Sequence, residues 1–124
     1  MRDGEGMSNR FQTAELDELV AGARGAPDAY VGKVLLSDLL SVGLYLLPAG
    51  GTDNQSPHNE DEVYYAVRGR AVLRVGEEEH PVQPGTLLFV PAQVVHRFHD
   101  IAEELVLVVF WAPPEHSVKP RSPA

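Results

Sequence analysis

From residue 30 onward, apolar positions come in short runs rich in branched and aromatic side chains, each closed by a turn former. Residues 30–36 and 42–47 are the first two runs, parted by Ser37, Asp38 and Ser41. Pro48, Gly50 and Gly51 then break the chain. Residues 62–67 and 71–75 flank Arg68-Gly69-Arg70 and read as a hairpin. Gly76 turns the chain into a short segment over 80–82. Pro84-Gly85 marks the next turn, because proline presets the first turn dihedral and glycine accepts a positive φ. Residues 86–90, 94–99 and 105–111 complete the set. This spacing predicts about eight or nine short strands with no helix between them, which is an antiparallel sandwich or barrel rather than alternating β and α units.

Ahead of the strands the period changes. Leu16, Leu19 and Val20 form one apolar stripe at helical spacing over residues 13–25. Thr13 offers a capping hydroxyl, and Glu15, Asp17 and Glu18 suit the positive end of a helix dipole. Gly22 and Gly25 end the helix. The predicted organisation is a flexible leader over 1–12, the helix over 13–25, a barrel over 30–112 and a proline-rich tail over 113–124. That tail is expected to be extended or disordered. Met7 offers a second start to the chain.

Composition narrows the chemistry. The 124 residues suit one domain. There is no cysteine, so any metal must be held by nitrogen and oxygen. A net charge of −8 repels phosphate backbones and argues against nucleic acid as a partner. The opening residues lack the apolar centre of a secretion signal. The longest apolar run, 105–112, is far too short to span a bilayer. A cytoplasmic protein with no membrane partner is expected.

Candidate chemistry concentrates in two stretches, 50–69 and 85–100. Strand side chains alternate faces, so residues an even number apart share one. His58 and Glu62 share a face that continues through Tyr64 and Ala66. In the second stretch His96, Phe98 and Asp100 share one face, while Arg97 and His99 take the other. With the two strands side by side, His58, Glu62 and His96 would meet at one point. Imidazole nitrogens and a carboxylate oxygen suit Fe, Mn, Co, Ni, Cu or Zn, with coordination positions left open. Within the acidic run Glu60-Asp61-Glu62, Glu62 is taken as the ligand. Tyr45, Tyr64 and Phe98 are the candidate pocket wall. His80 and His99 are assigned to the surface, and Arg68, Arg70, Arg74 and Arg97 to a solvated face.

These stretches resemble the two motifs of the cupin superfamily. Gly50, His58, Glu62 and Gly69 fall in register with the first motif, and Ser56 stands where its first histidine belongs. Gly85, Pro91 and His96 match the second motif, where Gln93 replaces a glycine and Asp100 an asparagine. The likeness covers residues 30–111. It implies an all-β fold, an antiparallel jelly-roll barrel with one short N-terminal α-helix. It also implies a divalent transition metal. The family sets its metal on three histidines and a glutamate, so Ser56 leaves three outcomes open. His58, Glu62 and His96 form a triad alone; or Gln55 or Ser56 completes it; or metal affinity is lost and a polar pocket remains.

Residues 105–111 are apolar on both faces, so the strand is expected to be covered on its outer side by the helix, the tail or a partner. The resemblance favours a homodimer. The leading expectation is a metal-binding barrel with a small-molecule pocket, oxygenase-like or a metal-assisted lyase or isomerase, with no catalytic residue assigned. The alternative is a non-catalytic binding or sensor barrel with weak or no metal.

Overall fold

The computed structural model describes residues 10–24, 30–53 and 57–118. Gly25, Gln55 and Ser56 lie outside the described residues, as do 1–9 of the leader and 119–124 of the tail. One helix, α1 (Leu16–Arg24), precedes six strands among the described residues: β1 (Tyr30–Leu36), β2 (Ser41–Leu47), β3 (Asp61–Val75), β4 (Glu78–Val82), β5 (Leu87–Val90) and β6 (His96–Ala112). All pairings are antiparallel, in the order β1-β2-β6-β3-β4, with β5 also on β3. This is the antiparallel barrel that the strand pattern predicts, with the jelly-roll form and the one short helix that the resemblance implies.

The hairpin expected at Arg68-Gly69-Arg70 is absent. β3 runs straight through it, and the register against β6 slips on either side of Arg68 and Arg70. Gly69 makes this bulge possible. Its φ is +97°, and a Cβ there would collide with the carbonyl oxygen of Glu104 on β6. The segments 94–99 and 105–111 likewise fuse into β6, which carries Asp100 at φ +49°. The two long strands pass through both halves of the barrel. β2 and β5 pair with the half holding Glu62 and Trp111, and β4 with the half holding Val75 and His96.

Alternation along β6 divides the core. Leu105, Leu107, Val109 and Trp111 point inward with Tyr64, Leu73 and Phe98. Val106 and Val108 point outward and pack with Leu44 and Leu46 against Val20 and Ala23 of α1. The outer cover of the last strand is therefore the helix over part of its length. Burying a side chain such as Val20 contributes about 1.5–3 kcal/mol, which holds a helix of 9 residues too short to stand alone. α1 begins at Leu16, so Thr13 sits ahead of it and Glu15 takes the capping position; the Leu19 amide bonds the Glu15 carbonyl at 3.1 Å. No helix among the described residues is long and apolar enough to cross a membrane.

Candidate functional site

His58, Glu62 and His96 come together, but not side by side on neighbouring strands. β3 and β6 do pair, yet His96 stands opposite Val75, at the far end of β3 from Glu62. The two side chains meet across the barrel interior instead. Glu62 Oε1 lies 3.2 Å from His58 Nδ1 and 3.3 Å from His96 Nε2. Glu62 and His96 are buried, and the His58 side chain is only 9% exposed.

Proton accounting fixes what each atom presents. The Nδ1 of His96 is 2.9 Å from the Val94 carbonyl, which can only accept, so Nδ1 carries the proton and Nε2 faces inward. The other Glu62 oxygen, Oε2, accepts from the Tyr64 hydroxyl at 2.8 Å and from the Trp111 indole at 3.1 Å. The Tyr64 hydroxyl also lies 2.9 Å from His96 Nε2. It has one proton for two acceptors. Burial and the neighbouring Glu62 carboxylate push the Tyr64 phenol well above its usual range, so it keeps that proton. Oε1 of Glu62, Nε2 of His96 and Nδ1 of His58 thus converge, and only His58 can bring a proton to the three. His58 Nδ1 is buried and has no hydrogen-bond partner among the described residues; its approach to Oε1 has the distance but not the alignment.

On its other side, His58 Nε2 faces Oε2 of Glu115 at 3.4 Å. Burial opposes a charge on this ring. The carboxylates of Glu115 and Glu62 outweigh burial and raise its pKa to about 10. Glu115 belongs to the tail expected to be extended or disordered. Residues 113–118 instead fold back onto the barrel, because partners wait for their polar groups. The Glu115 amide bonds Ser41 Oγ at 2.9 Å. Buried Glu60 accepts the His116 and Val118 amides, each at 3.1 Å. The Glu115 carboxylate takes a very short hydrogen bond from the Tyr30 hydroxyl and faces His116 Nε2 at 3.4 Å. Burial would raise its pKa, but the contacts with His58 and Tyr30 prevail and lower it. Beside this segment lies a cavity of about 270 Å³, walled by Tyr30, Tyr45, Pro57, His58, Glu60 and Glu115.

The pocket assignments divide. Tyr45 lines that cavity and stacks on Tyr30 with ring centroids 4.7 Å apart. Tyr64 sits in the polar cluster rather than on the cavity wall. Phe98 is not a wall residue: it is fully buried behind Tyr64, edge to face at 5.1 Å. Gly50 (φ +72°) and Gly85 (φ +96°) occupy turns, as expected, and Pro91 begins one that closes on the Val94 amide. Gln93, at a glycine position of the motif, has φ +71° and donates its amide to the His58 carbonyl at 2.7 Å. Sequence reasoning passed over Trp111, Glu60, Tyr30 and Glu115. Trp111 was legible, since it shares the inward phase of Leu105, Leu107 and Val109. Glu115 was not, because no periodicity follows Pro113.

Among the described residues no three His, Asp or Glu side chains form a ready-made cage for an ion; the three expected ligands touch one another through Oε1 instead. The chemistry of the set nevertheless fits a divalent transition metal. Two imidazole nitrogens and one carboxylate oxygen converge, and one of the nitrogens is buried with no hydrogen-bond partner among the described residues.

A family model for the Cupin domain matches residues 43–113. An uncharacterised protein of Streptomyces coelicolor is 49% identical over 100 residues, spanning 81% of this chain and 94% of its own length. A protein of known structure from Thermus thermophilus is similar at 34% identity, over 84% of this chain and 99% of its own, with a TM-score of 0.68. The DMSP lyase DddQ of Ruegeria pomeroyi shares the fold at 22% identity and a TM-score of 0.59, over 69% of this chain and 43% of its own.

Proposed function

The chain belongs to the cupin domain family, and from that premise we propose that it is a small-molecule-binding cupin whose working centre is His58, Glu62 and His96. In this reading the triad holds a divalent transition metal, and the cavity beside Tyr30 and Tyr45 receives the ligand. The observation that carries the metal is the convergence of Glu62 Oε1, His96 Nε2 and His58 Nδ1, the last with no aligned hydrogen-bond partner among the described residues. A metal bound there would supply Lewis acidity or an oxygen-activating centre. The protein's own groups prepare the place. Tyr64 and Trp111 saturate Oε2 of Glu62 and leave Oε1 directed at the two imidazoles. The Val94 carbonyl holds His96 in the tautomer that presents Nε2. Glu115 faces the outer nitrogen of His58 and thereby orients Nδ1 inward.

One observation favours a second, metal-free reading. His58 stands between two carboxylates with its pKa raised to about 10, so an imidazolium can supply the positive charge the cluster lacks. Metal content separates the two. Untagged protein is expected to carry stoichiometric metal, and His96→Ala none, while both give the same circular dichroism. Wild type that stays empty after reconstitution would overturn the metal and leave the imidazolium.

The homodimer is part of the proposal, and of the last strand, residues 105–111, only Phe110 is exposed enough to take part. Trp111 cannot serve, because it is wholly buried. The outward residues are Tyr65, Leu87, Phe89 and Phe110, between 40% and 68% exposed. They lie together, since Val63 pairs with both Phe89 and Phe110, and Tyr65 with Leu87. A contiguous apolar patch of this kind suits a second copy. Phe89→Glu is expected to convert dimer to monomer in sedimentation. A dimer that survives the change places the contact elsewhere.

A further inference from the structure

We infer that Glu60 is a positioning residue of the site: through the backbone amides of His116 and Val118 it seats residues 113–118 as a standing wall, and so holds the Glu115 carboxylate against His58. The inference rests on the reading of His58, Glu62 and His96 as a metal centre, and one of its readouts needs no metal.

The stretch from His58 to Glu62 does two things at once. His58 and Glu62 turn their side chains to the centre and come within 3.2 Å of each other. The residues between them fasten the surrounding chain. Asn59 Nδ2 donates to the Val118 carbonyl at 3.2 Å, and Asn59 Oδ1 accepts from the Gln93 side chain. Asp61 Oδ1 accepts the Ala92 amide at 2.9 Å. Glu60 is 1% exposed and uses both of its oxygens. Oε1 accepts the His116 amide and Oε2 the Val118 amide, each at 3.1 Å. A carboxylate is costly to bury without such partners, and hydrogen bonds to an ionised acceptor are roughly twice as strong as neutral ones. Two of them, on amides two residues apart, set the direction of the backbone as well as its place. Lifting the segment would strip a buried carboxylate of both donors. The segment is therefore part of the site and not a lid.

What the seated segment delivers is Glu115. It stands one residue before the first clamped amide. Its own amide bonds Ser41 Oγ at 2.9 Å, and its Oε2 faces His58 Nε2 at 3.4 Å. His58 lies ahead of β3, so strand pleating does not aim its ring. The ring takes its direction from Glu115 on one side and from the Trp111 ring, with centroids 5.8 Å apart, on the other. Glu60 thus acts on His58 through Glu115.

The test compares Glu60→Gln, Glu115→Gln and the double variant in the full chain. Glutamine matches Glu60 in size but turns an NH2 group toward one of the two amides, donor against donor. Hydrogen exchange at the His116 and Val118 amides should quicken at least about tenfold in Glu60→Gln, as for a segment that opens more readily. Affinity for Zn2+, from competition with a chelator, should fall about 10–100-fold in either single variant, the range for removing a group that orients a ligating imidazole. The double variant should fall no further than the weaker-binding single, because the two residues act in series. Without metal, the nuclear Overhauser contact between the rings of His58 and Trp111, the single tryptophan, should weaken in Glu60→Gln. Gly85→Ala controls for lost stability. Its strained turn bonds Ala66 and not the segment, so it should be less stable yet keep Zn2+ affinity and the ring contact. If Glu60→Gln does not fold, Glu60→Asp, which keeps the charge but is one carbon too short to reach both amides, is read in the same way. Wild-type Zn2+ affinity in a Glu60 variant whose segment amides exchange freely overturns the inference. So do additive losses in the double variant, or an equal loss in Gly85→Ala. Wild type that takes up no Zn2+ overturns the metal reading, and the ring contact then decides the role of Glu60: a contact unchanged in Glu60→Gln refutes it.

Discussion

Replacing Trp111 by alanine is expected to remove about 3–5 kcal/mol of stability, the range for deleting a large buried aromatic ring. The ring is wholly buried and touches both halves of the site. Gly43 on β2 makes room for it: a Cβ at Gly43 would come within 2.8 Å of the indole. The cavity left behind has little to collapse into it, because Gly43 has no side chain to offer. The loss also takes the N–H that bonds Glu62 Oε2. Trp111→Phe separates these effects. It keeps most of the volume but loses the donor, and the lost hydrogen bond should cost about 1–3 kcal/mol. Urea unfolding followed by circular dichroism measures both, since neither variant retains the fluorophore. Domains of this size hold about 5–15 kcal/mol in all, so Trp111→Ala should leave a marginal fold. Equal costs for the two variants would show that the hydrogen bond outweighs the packing.

Gly69→Ala is expected to be nearly as damaging, although it adds only a methyl group. At φ +97° any L side chain is strained, a cost of about 1–3 kcal/mol. The new Cβ would also run into the β6 backbone at Glu104, and such overpacking adds about 1–3 kcal/mol. The combined loss, near 3 kcal/mol or more, should lower the urea midpoint by at least about 1 M for slopes of roughly 1–3 kcal/mol/M. Gly85→Ala is the control. Its φ is +96°, but nothing lies within 4 Å of the added carbon. It should incur the backbone cost alone. If both variants lose the same stability, the contact with β6 is unimportant and only the dihedral matters.

The same glycine shows where the chain could and could not be read. Its need for a positive φ was legible; whether it served a hairpin or a bulge was not. Two strand-like runs joined by Arg-Gly-Arg look alike in either case, and only the partner strand decides. Alternation carried the fold and the inward faces of Glu62 and His96, because face parity is a local property; His58 lies ahead of β3, where parity does not apply. Parity did not say that Glu62 and His96 would face each other across the interior rather than along a ladder, since that depends on how the sheet curls. Phe98 had the right parity for a wall but the wrong depth, lying behind Tyr64. The folded-back segment was the least legible part. Glu60 and Glu115 act mainly through contacts to partners far along the chain, and composition alone marks such residues as solvated.

The passage of β3 and β6 through both halves of the barrel also governs how the protein loses its structure. Glu62 pairs with Trp111 and Val75 with His96, so every half-barrel is built on the same two strands. Opening either half frees the ends of the two strands on which the other is built. Such a chain is one cooperative unit, with its most protected amides along the β3–β6 seam and its first openings at the edges. The pairing joins residues remote in sequence, which makes the search for it slow.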